Sequence, residues 1–200
     1  LWLAVLFSTF IGYIQAEKTE PAYRIIAPVE YQVIQRGAGN EAWVEIEVTA
    51  SMPLIKSRSL EYRLDKNRPW EKLRGEWKNQ NLLSRLTVPA GGWYGFEIRE
   101  AGNPDNRSQV VQFGVGEIFV VAGQSNSGNY GEKKQATQTG LVSAFDFENK
   151  MWQLAVDPQP GAGGRGGSIM PLLGDALSKK LNLPIGIIAY GQGGTSVREW

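Results

Sequence analysis

The sequence predicts two domains in series: an all-β sandwich over residues 22–114 and an incomplete three-layer α/β unit over 115–200. Three observations carry this expectation. Up to Val115 the apolar residues come in short alternating runs separated by turn formers. At Gly116 the pattern switches to continuous apolar runs, as in strands covered on both faces. One helical apolar stripe then lies between two such runs. The composition fits a folded chain rich in turns, with 200 residues, 42% hydrophobic, 20% charged, 24 Gly and 10 Pro. Collagen, coiled coil and wholesale disorder are excluded.

Leu1 to Ala16 carries no charge, and Leu1-Trp2-Leu3-Ala4-Val5-Leu6-Phe7 opens an apolar stretch of secretory h-region length. Residues 1–16 are therefore expected to be a signal peptide cleaved after Ala16. Ser8, Thr9, Gly12 and Gln15 interrupt the stretch, which falls short of the roughly 20 apolar residues of a spanning helix. With neither an initiating Met nor a basic n-region, the N-terminus is expected to be clipped. An exported chain without Cys suits a secreted or periplasmic protein, with no membrane attachment after cleavage.

In the sandwich, Val44, Ile46 and Val48 share one face while Glu45 and Glu47 share the other. Leu60, Tyr62 and Leu64 alternate with Glu61, Arg63 and Asp65. Leu82, Ser84, Leu86 and Val88 line one side of a further strand, and Tyr94, Phe96 and Ile98 oppose Glu97 and Arg99. Pro89-Ala90-Gly91-Gly92 reads as the hairpin connection between those last two runs. With Tyr31–Arg36 and Gln109–Val115 this makes about seven strands in roughly 90 residues, close to an immunoglobulin-like sandwich. Trp70, Trp77 and Trp93 are expected to pack in the core or at its edge rather than form a sugar platform. Asn106-Arg107-Ser108 matches a glycosylation sequon, which matters only in a eukaryotic secretory pathway.

Ile118-Phe119-Val120-Val121-Ala122 reads as a buried strand that runs into Gly123-Gln124-Ser125-Asn126-Ser127-Gly128. Ser168 is the expected N-cap of a helix, with Pro171 in its first turn and Leu173, Ala176, Leu177 and Leu181 as its apolar stripe. Ile185-Gly186-Ile187-Ile188-Ala189-Tyr190 is a second buried strand and opens into Gly191-Gln192-Gly193-Gly194-Thr195-Ser196. A strand–helix–strand crossover makes the two strands parallel, so both glycine-bearing loops leave the same carboxyl edge. That edge is where open α/β sheets bind ligands. A serine on one tight bend offers a nucleophile, and unhindered glycine amides on the other offer oxyanion donors, although Gly-x-Ser turns also occur for purely conformational reasons.

Gly116-Glu117-Ile118-Phe119-Val120-Val121-Ala122-Gly123-Gln124-Ser125-Asn126 resembles the first block of the SGNH hydrolases. It does so in the Gly-Gln-Ser-Asn form of the sialate O-acetylesterases and acetylxylan-esterase-related carbohydrate esterases. Gly193-Gly194-Thr195-Ser196-Val197-Arg198-Glu199-Trp200 resembles the second block, and Pro28–Arg36 is similar to the sandwich preceding the esterase domain in some members. The resemblance implies a flavodoxin-like SGNH domain. It also implies a secreted esterase that removes O-acetyl groups from sugars of the sialic acid or xylan type, with no metal and no cofactor. Ser125 is then the nucleophile. The oxyanion donors are the amides of Ser125 and Gly194, with Gly193 as the weaker alternative, and Gln124 and Asn126 set the serine loop by hydrogen bonding. Arg198 and Trp200 are expected to pack the next helix.

The family's Asp-or-Glu, x, x, His element is missing, since the chain contains no His at all, and the further oxyanion donor of its third block does not occur either. Lys133 and Lys134 are poor substitutes, since a solvated lysine is protonated at neutral pH. The sequence is therefore expected to stop early, within the second block, leaving an α/β part with bare apolar surface and no esterase activity of its own. Thr137–Pro160 reads as one long connection in which Trp152 is a candidate for the substrate pocket. Gly161-Ala162-Gly163-Gly164-Arg165-Gly166 fits G-x-G-x-x-G but follows Pro158-Gln159-Pro160 rather than a strand, so a loop is expected and not a dinucleotide site. Net charge is +1, which gives no footprint for nucleic acid, and the oligomeric state is left open. Two other functions stay in play: an SGNH hydrolase acting on another acyl ester, and a noncatalytic glycan-binding protein with a vestigial esterase fold.

Overall fold

The computed structural model describes residues 21–51, 59–108 and 110–199. The expected signal peptide, Gln109 and Trp200 lie outside them. The chain is mostly β-sheet with a single α-helix among the described residues. One sheet of the sandwich contains β1 (Tyr23–Ala27), β3 (Glu41–Ala50), β6 (Glu76–Lys78) and β7 (Asn81–Pro89), in the order β1-β3-β7-β6. The second contains β2 (Gln32–Gln35), β4 (Leu60–Leu64), β5 (Glu71–Leu73), β8 (Gly91–Glu100), β9 (Asn103–Arg107) and the first part of β10 (Val111–Gly123).

Alternation in β3 does what the period of two demands. Ala42, Val44, Ile46 and Val48 are buried, while Trp43 and Glu45 face outward, Glu45 paired with Arg85. Opposite them Phe96, Ile98 and Phe113 close the core, each such side chain worth about 1.5–3 kcal/mol when fully buried. Trp70 lies on the outer surface between the guanidinium groups of Arg63 and Arg99, at 4.5 and 4.3 Å from its ring centre. Trp77 packs against the core. β1, β5, β6 and β9 are additional to the strands expected from the sequence. All four have five residues or fewer and little alternation to show.

β10 is the hinge of the architecture. Phe113–Gly116 pair in parallel with β2, Val111–Val115 pair antiparallel with β8, and Glu117–Gly123 pair in parallel with β13 (Ile185–Gly191). One unbroken strand thus belongs both to the sandwich and to the parallel pair with β13, and its partners change between Gly116 and Glu117. The junction is pinned on both sides. Glu117 takes hydrogen bonds from Gln35 Nε2 at 2.6 Å and Arg36 Nε at 2.7 Å, which hold its carboxyl below the usual glutamate range. Trp93 Nε1 donates to the Gly140 carbonyl at 2.7 Å, and its ring meets Tyr31 edge-on.

Thr137–Pro160 is not one long connection. β11 (Val142–Asp146) pairs in parallel with β13, and β12 (Met151–Leu154) pairs antiparallel with β11. The turn between them is closed by Asp146, whose carboxylate accepts the amides of Glu148 and Asn149 and the side chain of Asn149, with Lys150 at φ +53°. An Asp-x-x-Asn turn between short apolar runs is the sequence signal for this hairpin.

Helix α1 (Met170–Leu181) follows the expected crossover, with Pro171 in its first turn. The N-cap position is Ile169 rather than Ser168. Ser168 Oγ instead donates to Asp157 Oδ1 at 2.6 Å while accepting the Met170 amide at 3.2 Å. The buried face also differs from the expected leucine stripe: Met170, Pro171, Gly174, Asp175 and Ser178 face inward, and Leu173 is 40% exposed. The cause is close approach. A Cβ at Gly174 would lie 2.4 Å from Val142 Cγ1, so the helix backbone rests directly on β11.

Asp175 completes that contact by accepting from Thr137 Oγ1, Thr139 Oγ1 and the amides of Gln138 and Thr139. Burial pushes its pKa up, but these hydrogen bonds more than offset it, and the carboxyl titrates below the usual aspartate range. A depressed native pKa stabilises the fold above the ordinary aspartate value, and the contribution is lost as pH falls through the lower, native value. We expect Asp175→Asn to cost about 2 kcal/mol at neutral pH, with the gap to wild type narrowing below about pH 4, measured by urea unfolding across pH.

α1 covers the face of the sheet carrying Val121, Ile185, Ile187 and Ala189. The opposite face leaves Val120 66% exposed, along with Tyr190 and Phe147. No helix among the described residues is long and apolar enough to cross a membrane.

Candidate functional site

Parallel register brings the two glycine-bearing bends together. Gly123 lies opposite Gly191, and the Gln192 amide donates to the Gly123 carbonyl at 2.8 Å. Gly123 has φ +144°, which turns the chain out of β10 into a single 3-10 turn, Ser125–Ser127. Ser127 closes that turn with its amide and its hydroxyl, both donating to the Gln124 carbonyl, at 2.9 and 2.8 Å. A Cβ at Gly191 would lie 2.3 Å from the Ser127 carbonyl oxygen, so the serine turn rests on the backbone of the second bend.

A third segment walls the site. Gly161–Gly167 runs beside Asn129–Lys133, joined by Gly166 N–H to the Asn129 carbonyl and by reciprocal bonds between Gly131 and Gly167. A Cβ at Gly166 would fall 2.3 Å from the Gly131 carbonyl oxygen and one at Gly161 2.6 Å from the Ala189 carbonyl oxygen, so the glycines of the G-x-G-x-x-G stretch serve close backbone packing. Buried polar side chains hold the segment from behind. Asn129 donates to the carbonyls of Gln159 and Ala162 and accepts the Gln159 amide. Asp157 accepts from Ser168 Oγ, Gln159 Nε2 and the amides of Gln135 and Ser168, so its buried charge is fully solvated by protein donors.

The serine turn, the stretch Gly128–Lys133 and the stretch Gly167–Ile169 line a cleft of about 320 Å³, among them Ser125, Asn126, Tyr130, Lys133, Ser168 and Ile169. That volume lies in the range of small-molecule sites. Ser125 is half-buried, and its hydroxyl has no hydrogen-bond partner among the described residues. Asn126 lines the cleft beside it. Among the described residues the serine loop is held by the Gln124 backbone carbonyl and Ser127, with no hydrogen bond from the side chains of Gln124 or Asn126. Gly193 and Gly194 are not among the residues that line the cleft. Gly193 sits under the Tyr130 hydroxyl, and Gly194 has φ +80° with open space where a Cβ would stand. The Ser196 amide and hydroxyl donate to Glu199, which pulls its pKa down. No cluster of three metal-ligating side chains forms among the described residues.

Trp152 is not at the cleft. It is 8% exposed, packs on Gly186 and stacks against Phe145, on the far side of the sheet from α1. Trp152→Ala is expected to cost about 3–5 kcal/mol, read as a lower urea midpoint, because a large core side chain leaves a cavity. The aromatic residue that does line the cleft is Tyr130. It stands alone in a turn of Gly, Asn and Glu, where no periodicity singles it out. No family model matches the chain, and no curated protein matches it.

Proposed function

We propose that the chain carries the serine half of an SGNH-type esterase centre, in a flavodoxin-like α/β domain, acting on O-acetylated carbohydrate outside the cytoplasm. The observation that supports this reading is the pairing of bends. A half-buried serine hydroxyl without a hydrogen-bond partner among the described residues lines a cleft, and the Gln192 amide of the glycine bend after the neighbouring parallel strand donates to the Gly123 carbonyl at the start of the serine turn.

In the reaction, Ser125 Oγ attacks the acetyl carbonyl carbon and its proton passes to a base. The carbonyl oxygen becomes an oxyanion held by the amides of Ser125 and Gly194, with Gly193 as the alternative donor. Collapse expels the sugar hydroxyl and leaves acetyl-Ser125, which water cleaves to acetate. The base is an imidazole supplied from outside these 200 residues, since none of them is His.

The test is chemical rescue. Free imidazole is small enough for the cleft, and Ser125-dependent release of acetate from an acetylated sugar is expected to rise at least about tenfold over Ser125→Ala in the same buffer. Acetyl-Ser125 should be trapped by mass spectrometry. Equal rates for the two proteins across imidazole concentrations overturn the proposal.

A further inference from the structure

β10 is an interior strand up to Gly116 and an edge strand beyond it. Its peptide groups alternate in direction. The Gly116 carbonyl accepts the Arg36 amide on the β2 side, whereas the Glu117 amide donates to the Pro184 carbonyl on the β13 side, where the Gly123 carbonyl also accepts the Gln192 amide. Odd-numbered residues from Glu117 to Gly123 are therefore committed to β13, and Ile118, Val120 and Ala122 point their amides and carbonyls the other way. β2 has ended at Gln35, so from Ile118 to Ala122 no strand faces that outward row among the described residues. Gln35 Oε1 caps the Ile118 amide at 2.8 Å, and no such cap covers Val120 or Ala122 among the described residues.

Two edge strands of the sandwich are built differently. β5 and β6 are three residues long and carry Glu71 and Lys72, and Glu76 and Lys78, the short charged edges that discourage pairing with another chain. Ile118–Ala122 has neither charge nor proline, and its register with β13 runs without a bulge. Both of its faces are apolar, with Val120 66% exposed on one and Phe119 37% exposed on the other. Such an edge is complementary to itself. A two-fold axis through Val120 sets two copies antiparallel, with Val120 opposite Val120 and Ile118 opposite Ala122, so that each outward residue meets an outward residue. In this register Phe119 falls opposite Val121, an aromatic and β-branched pair that stabilises antiparallel ladders. Charge does not oppose it, since Glu117 falls opposite Gly123 and its carboxylate is already held by Gln35 and Arg36.

We propose that the open edge of β10 is a self-association surface, on which a second copy of this chain pairs antiparallel over Ile118–Ala122. The proposal goes beyond the esterase reading and does not depend on it. Sedimentation velocity on the 200-residue protein is expected to show a closed dimer with a dissociation constant of about 10–100 µM, as suits a small interface. Hydrogen exchange locates the contact: the Val120 and Ala122 amides should slow about tenfold as the protein is concentrated from the monomer into the dimer range, while amides of β5 and β6 do not respond. Val120→Lys should weaken association at least about tenfold by placing like charges across the axis. Val120→Pro should do the same by removing an outward donor while leaving the β13 ladder whole, and its urea midpoint reports that the fold is kept. Trp43→Lys is the control, since Trp43 is equally exposed, at 66%, but lies on the sandwich; it should dimerise as wild type does. A monomer at every concentration up to about 1 mM, fast exchange at Val120 and Ala122 in the concentrated protein, or association that Val120→Lys leaves intact overturns the proposal.

Discussion

Gly116→Ala unfolds at a urea concentration about 1.5 M below wild type, from a loss of about 3 kcal/mol at a slope of about 2 kcal/mol per molar. The expectation comes from one distance. A Cβ at this position would lie 2.0 Å from the Pro184 carbonyl oxygen and 2.9 Å from its carbon, and backbone cannot swing aside as a side-chain tip can. The same peptide is committed in both directions, since the Gly116 carbonyl accepts the Arg36 amide at 2.8 Å and the Pro184 carbonyl accepts the Glu117 amide at 3.2 Å. Relief by shifting β13 away would break its register with β10. Relief by shifting β10 would break its pairing with β2. Gly39→Ala is the control, because its nearest contact is at 3.7 Å, ordinary van der Waals distance, and it should unfold close to wild type.

The second large effect is on rate. Without added imidazole, the 200-residue chain should release acetate from acetylated sugars no faster than Ser125→Ala does. A positioned base is worth roughly 10² to 10⁴ in rate, and a neutral serine hydroxyl at neutral pH is a weak nucleophile without one. Lys133 lies in the right cleft but is an exposed lysine, suited to holding charge rather than to accepting a proton. A Ser125-dependent rate on the unsupplemented protein would show that a base among these residues had gone unrecognised.

Legibility followed the strength of local patterning. Alternation in 43–48 was plain in the residues, because one face of the strand is buried and the other exposed, whereas in 94–99 the same alternation hides that Glu97 is itself buried, against Arg63. Ile118–Ala122 and Ile185–Tyr190 were equally plain as strands of a parallel pair, and the glycine bends after them could be placed at one edge. What escaped depended on contacts between distant segments. The inward face of α1 was misread because leucines outrank Gly174, Asp175 and Ser178 on any hydrophobic count, yet the helix turns its small residues inward to lie against Val142. β11 and β12 escaped because a hairpin of five- and four-residue strands borrows its stability from β13. Tyr130 escaped because two of the glycines it packs against, Gly163 and Gly193, lie 33 and 63 positions further along the chain.

The shared strand has a practical outcome for anyone dissecting the molecule. No tether separates the two halves, so a protease finds no stretch between Val111 and Gly123 that is free of strand pairing, and a gene split there severs a ladder rather than a connector. Either half made alone would begin or end with an orphaned row of amides and carbonyls. The pair should accordingly melt as a single cooperative block.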